Sequence, residues 1–195
     1  MENHVDERYQ KRIITIPNIL SLFRLCLIPV IVWLYCFQKD YIWTAFTLAL
    51  SGLTDVVDGF IARKFHMVSD FGKTFDPVAD KLTQIAMLFC LVTRFPLMLI
   101  PLIILTVKEI LAATLNMLTI QKTGKVMGAV WHGKLNTVLL YATMLLHVIW
   151  GDIPTLVSNL LIGICAVMML ISAVLYSIRN IRALKNNKGE NSRVS

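Results

Sequence analysis

Charge is scarce in this chain. Of its 195 residues only 16% are Asp, Glu, Lys or Arg, while 56% are hydrophobic. An ordinary soluble domain carries about 25% charged residues. The balance excludes a disordered chain, which needs low hydrophobicity and high charge, and argues against a soluble globular one. Histidine is nearly absent, at four residues. The four cysteines (Cys26, Cys36, Cys90 and Cys165) stand apart within apolar runs, and none forms a CxxC pair. A metal or redox framework built on cysteine is therefore not indicated, and these residues read as small hydrophobes. No DDxxD run of the kind used in prenyl-diphosphate chemistry is present.

Long apolar runs are what the chain has. A membrane-spanning helix needs about 20 such residues, so a chain this short has room for six spans and little else. The sequence predicts an all-α integral membrane protein of six transmembrane helices with both termini cytoplasmic. The spans fall at residues 19–37, 41–62, 76–93, 96–118, 134–150 and 155–177. Residues 1–18 read as a cytoplasmic or interfacial segment with a short helix, 19–182 as the membrane domain, and 183–195 as a polar tail that frays after Lys185. The net charge is +7, from 19 basic and 12 acidic residues. The bases sit in short segments between apolar runs, which points to lipid headgroups and topology signals and away from nucleic acid. One side would receive Arg8, Lys11, Arg12, Lys64, Lys73, Lys122, Lys125, Arg179, Arg182 and the tail. The other would receive only Lys39 and Arg94.

Ionisable groups inside a membrane domain are costly and mark function by default. They concentrate in SGLTDVVDGFIARK, at the end of the second span, and FGKTFDPVADKL, at the start of the third. Asp55 and Asp58 are three apart, and Asp76 and Asp80 four apart, so each pair shares a helical face. A short connection would make an antiparallel hairpin in which the pairs face each other. Four converging carboxylates repel. Either some are protonated or divalent cations sit between them. All-oxygen ligands favour Mg²⁺ or Mn²⁺, and four carboxylates can hold two ions, the number that clamps both attacking and leaving oxygens in a displacement.

Gly59 and Ala62 continue the Asp55/Asp58 face, where small residues let a ligand approach the backbone or let helices pack closely. Arg63 is placed to meet a phosphate, and Gly72 is expected just before the third helix. A fainter cluster comprises Lys108, Glu109, Lys134 and Asn136. Its lysines could grip an anionic substrate or offset the aspartates. Asn18 and Arg24 are further candidates, with Arg24 also able to snorkel to headgroups.

The full stretch reads Asp55-x2-Asp58-Gly59-x2-Ala62-Arg63-x8-Gly72-x3-Asp76-x3-Asp80. At every fixed position this resembles the signature of the CDP-alcohol phosphatidyltransferases. The resemblance implies transfer of a phosphatidyl group from CDP-diacylglycerol to an alcohol, with CMP leaving. It implies two Mg²⁺ or Mn²⁺ ions held by Asp55, Asp58, Asp76 and Asp80, with Asp80 the general base. It also implies CDP contacts at Asp58, Gly59, Ala62, Arg63 and Gly72, a homodimer, and a multi-pass place in a bacterial plasma membrane with the site at the cytoplasmic border. IPNILSLFRLCLIPV, with Asn18, Ser21 and Arg24, and WHGKLNT are similar to the bacterial phosphatidylglycerophosphate synthases. In that subgroup the acceptor is sn-glycerol-3-phosphate, and Arg63, Lys108, Lys134 and Arg179 are the cations available to its phosphate. The subgroup carries Arg-Glu where this chain has Lys108-Glu109, and lysine lacks the bidentate fork of arginine. A cardiolipin synthase of the same family, whose acceptor is phosphatidylglycerol, is the alternative, ahead of serine or inositol-phosphate acceptors. An ion-coupled transporter is the reading from another class. It is opposed by the clustering of the aspartates at one membrane border.

Overall fold

A computed structural model describes residues 16–64, 70–123 and 131–191, and six α-helices lie among them. Helix α1 is Ile16–Trp33, α2 Tyr41–Lys64, α3 Asp70–Val92, α4 Leu99–Thr123, α5 Trp131–Ile149 and α6 Thr155–Asn191. Pro17 falls in the first turn of α1, where its fixed φ suits the helix and its missing N–H has no partner to lose. A π-helical turn, Leu34–Gln38, extends α1 and ends at Lys39, whose φ of 55° reverses the chain. Asp40 then caps α2: its Oδ1 accepts from the backbone N–H of Trp43 at 3.1 Å.

Helicity throughout agrees with the sequence reading, but the count of spans does not. Among the described residues, three helical stretches are long and apolar enough to cross a membrane: Asn18–Gln38, Pro96–Met117 and Thr155–Arg182. The six-span expectation is therefore corrected to three. The apolar runs of α2 and α5 are shorter, at Tyr41–Val57 and Gly133–Ile149. At 1.5 Å per residue the first of these covers roughly 25 Å, short of a bilayer core of about 30 Å. The cause lies in the motif itself, since Asp58 ends the run on α2. In α3 the residues Asp70, Lys73, Asp76, Asp80 and Lys81 fill the first half, and only the stretch beyond Lys81 is continuously apolar or weakly polar. Two further boundaries move. Helix α3 begins at Asp70, so Gly72 lies within its first turn instead of before it. Helix α6 runs through Asn191, past the expected fraying point at Lys185.

The chain divides into two compact units. The first holds residues 1–95 and 144–152, the second 96–143 and 153–195. In the first unit α1 packs along both α2 and α3, which meet each other only briefly. The expected α2–α3 hairpin is thus a three-helix arrangement with α1 as its centre. Ile31, Tyr35, Leu48, Met87, Leu88 and Leu91 are its buried apolar core. At the far end from the motif, the Arg94 guanidinium lies 5.0 Å from the Tyr41 ring centre and 3.7 Å from Asp152. A Cβ on Gly151 would fall 2.6 Å from an Arg94 nitrogen, so glycine is what lets the arginine lie there. In the second unit α4 packs on α6 around Leu105, Ile162, Cys165 and Met169.

Candidate active site

The motif residues occupy two helices. Asp55, Asp58, Gly59, Ala62 and Arg63 lie on α2, and Gly72, Asp76 and Asp80 on α3. The side chains of Asp58, Gly59, Ala62, Arg63 and Gly72 fall outside the described residues. For the other three aspartates the geometry is explicit, and α1 dominates it.

Arg24 on α1 has no exposed surface, and its Nη1 donates to Asp55 Oδ1 at 2.7 Å. A buried guanidinium needs a counter-charge, because an unpaired ion away from water costs several kcal/mol. Asp55 supplies it and still keeps 36% of its side chain exposed, so one face of the carboxylate stays open. Arg24 therefore points into the helix packing and away from the protein surface. One turn earlier on α1, Ser21 is also fully buried, and its hydroxyl donates to Asp76 Oδ1 at 2.5 Å. Asn18, another turn back, is buried as well.

Asp80 is the most enclosed of the three, at 6% exposure. Its Oδ2 accepts from Gln84 Nε2 at 2.9 Å and pairs with Lys81 Nζ at 3.1 Å, and Lys81 in turn reaches Gln84 Oε1 at 3.2 Å. Asp80 and Lys81 both lie within coulombic reach of Asp55 across the α2–α3 gap. The first unit thus holds two carboxylates of the motif near one another and a third beside them through Ser21. Among the described residues, no three acidic, histidine or cysteine side chains gather closely enough to hold one ion.

Sequence reasoning passed over Lys81 and Gln84. The signal was available, since Gln84 is four residues beyond Asp80 on the same helix and so stands on its face. The ties of Arg24 and Ser21 to aspartates 31 and 55 residues away had no local signal.

The expected acceptor-side residues Lys108, Lys134 and Arg179 belong to the second unit. Lys108 pairs with Glu109 at 3.0 Å and is mostly enclosed. Lys134 is exposed. The Arg179 guanidinium lies 5.4 Å from the Tyr176 ring centre. Beside it Asn180, fully buried, donates to the Tyr176 carbonyl at 3.0 Å and accepts from Thr119 at 3.5 Å. Asn136 is buried too.

An all-helical membrane protein with acidic side chains of two helices gathered about a third is the class these features define. Sequence comparison places it within that class: the model of the CDP-alcohol phosphatidyltransferase family matches residues 14–178, and the chain belongs to that family. Among curated relatives, a cardiolipin synthase (CMP-forming) of Streptomyces coelicolor is 40% identical over 89 residues, covering 43% of this chain and 41% of that protein. A CDP-diacylglycerol–glycerol-3-phosphate 3-phosphatidyltransferase of Rickettsia typhi is 35% identical over 103 residues, 52% of this chain and 58% of the relative. The Bacillus subtilis protein of the same name is 28% identical over 190 residues, 88% of this chain and 98% of the relative. The match thus spans about half the length of the first two relatives.

Proposed function

We propose that the protein transfers the phosphatidyl group of CDP-diacylglycerol to the free hydroxyl of phosphatidylglycerol, releasing CMP and forming cardiolipin. The observation that carries the transfer chemistry is the assembly of Asp55, Asp76 and Asp80 about α1 in a chain of this family. The choice of acceptor is supported by the higher identity to a cardiolipin synthase and by Lys108. Lysine replaces the arginine expected of a glycerol-phosphate site, and its charge is already paired with Glu109. A second reading, with sn-glycerol-3-phosphate as acceptor, is favoured by the near full-length likeness to the Bacillus subtilis protein.

The donor set fits a hard divalent cation: it is all carboxylate oxygen, and Asp55 keeps an open face. Asp55, Asp58, Asp76 and Asp80 would hold two Mg²⁺ or Mn²⁺ ions. Bound there, these ions supply charge neutralisation on the diphosphate and on the leaving oxygen.

The remaining steps belong to side chains. Asp58, Gly59, Ala62, Arg63 and Gly72 receive the cytidine diphosphate, with the small residues admitting it close to the helices and Arg63 meeting phosphate oxygens. Lys81 and Gln84 hold Asp80 on one oxygen, which orients the carboxylate. Asp80 takes the proton of the acceptor hydroxyl, which requires hydrogen-bond reach between them. The hydroxyl oxygen then attacks the lipid-bearing phosphorus, the bond from that phosphorus to the bridging oxygen breaks, and CMP leaves with the electron pair. The lipid tails of donor and acceptor stay in the bilayer throughout.

The test is CMP release from CDP-diacylglycerol by the purified full chain in liposomes with Mg²⁺ or Mn²⁺. Phosphatidylglycerol, glycerol-3-phosphate, serine and inositol phosphate are supplied in turn. Release that depends on phosphatidylglycerol, with cardiolipin as product, supports the proposal. Release only with glycerol-3-phosphate moves the protein to the second reading. No release with any acceptor overturns the transfer chemistry.

A further inference from the structure

We infer that α1 is the positioning element of the active site, with Ser21 and Arg24 as two positioning residues that hold motif carboxylates from different helices in register. This inference rests on the phosphatidyl-transfer reading and deepens it, because neither residue belongs to the aspartate motif.

Three observations carry it. Ser21 and Arg24 are three residues apart and so share a face of α1, and both are fully buried. Each spends its polar group on a motif aspartate: Ser21 on Asp76 of α3 and Arg24 on Asp55 of α2. Finally, α2 and α3 meet only briefly, while α1 packs along both. Among the described residues, the relative placement of the two carboxylates is therefore set chiefly through α1.

The chemistry of each contact suits the task. Arg24 is a rigid planar donor that cannot lose its charge. It anchors one oxygen of Asp55 and offsets its repulsion from the neighbouring Asp80. Ser21 is neutral, so it orients Asp76 without drawing down the negative charge that a cation requires. A fully buried arginine used only to join helices would be a costly choice, because a well-packed apolar pair does that as well. Side chains that orient metal-bearing carboxylates contribute about 10–100-fold to metal affinity or activity.

The experiment uses the full chain in detergent or nanodiscs and three variants: Arg24→Gln, Arg24→Lys and Ser21→Ala. Each is measured for Mn²⁺ binding by electron paramagnetic resonance, for kcat and KM in CMP release, and for thermal unfolding. The expected result for Arg24→Gln is a 10–100-fold loss in kcat and a comparable weakening of Mn²⁺ binding in the folded protein, with acceptor KM unchanged. Arg24→Lys recovers part of both, since it keeps the charge and loses the fork. Ser21→Ala, which removes one oxygen and leaves the volume nearly intact, shows the same pattern in milder form and carries the test if Arg24→Gln fails to fold. Wild-type Mn²⁺ affinity and kcat in folded Ser21→Ala and Arg24→Lys, with only the unfolding temperature altered, would overturn the inference and leave α1 a structural helix. A wild-type protein that releases no CMP overturns the transfer reading instead, and the Mn²⁺ titrations of the variants then decide the inference by themselves.

Discussion

A guanidinium without exposed surface has to find a counter-charge, and Arg24 finds Asp55 at 2.7 Å. The same reasoning separates the roles of the aspartates. Asp80 is almost enclosed and held on one oxygen by Lys81 and Gln84, an arrangement that would suit the proposed proton transfer. Asp76 is tied to a neutral hydroxyl, a partner that would leave its carboxylate to the proposed cation. Asp76→Asn keeps the Ser21 hydrogen bond within reach of its side-chain oxygen and removes the charge. CMP release is expected to fall to background while the unfolding temperature changes little, and wild-type release by that variant would remove Asp76 from the metal site. Chelation should act the same way: EDTA is expected to stop CMP release, and added Mn²⁺ or Mg²⁺ to restore it. Lys108 offers a test of the acceptor. If its charge is fully engaged by Glu109, Lys108→Arg and Lys108→Ala leave acceptor KM within about twofold of wild type. A tenfold rise in KM for glycerol-3-phosphate in Lys108→Ala would return the lysine to the acceptor pocket.

At the level of elements, the helices that carry the aspartate motif are poorly fitted to lipid. Helix α3 spends its first half on Asp70, Lys73, Asp76, Asp80 and Lys81, and so has no stretch apolar enough and long enough to span. Helix α1 is the opposite case, a spanning helix with a narrow polar stripe at Asn18, Ser21 and Arg24 turned to its neighbours. The turn between α1 and α2 depends on Lys39 in the left-handed region and on the Asp40 cap. Loss of an N-cap costs about 1 kcal/mol, so Asp40→Ala should lower unfolding stability by that order without changing kcat. Denaturation followed by circular dichroism beside the CMP assay checks both halves of that statement. Gly151→Ala should cost little at this half-buried position, because the Arg94 guanidinium, the far end of a flexible and partly exposed side chain, can swing aside, and an unfolding temperature near wild type checks this.

For the whole molecule, the decisive property of the proposed reaction is where the substrates live. CDP-diacylglycerol and phosphatidylglycerol are both confined to the bilayer, whereas glycerol-3-phosphate is dissolved in water. If the acceptor is the lipid, the rate in mixed micelles follows the mole fraction of phosphatidylglycerol in the micelle and is insensitive to its bulk concentration at fixed mole fraction. If the acceptor is glycerol-3-phosphate, the rate follows bulk concentration of that acceptor. This dilution experiment separates the two readings without mutating a residue.

The sequence by itself determined the material and the motif. Apolar runs of membrane length make a helical membrane protein, since only internally hydrogen-bonded backbone tolerates lipid. The i, i+3 and i, i+4 spacing of Asp55/Asp58 and Asp76/Asp80 puts carboxylates on shared faces whatever the helices do next. These are local properties, readable from spacing and composition. The count of spans is not local in this sense: apolar segments of similar average character look alike in sequence, although the charges inside α2 and α3 shorten their lipid-compatible lengths. Only the tertiary structure decided that α1 stands between the two motif helices. A contact between Arg24 and Asp55, or Ser21 and Asp76, joins positions far apart in the chain. No periodicity within a single helix encodes which neighbour it will face. That choice follows from the burial of a charge and a hydroxyl, each of which must find its partner on another helix.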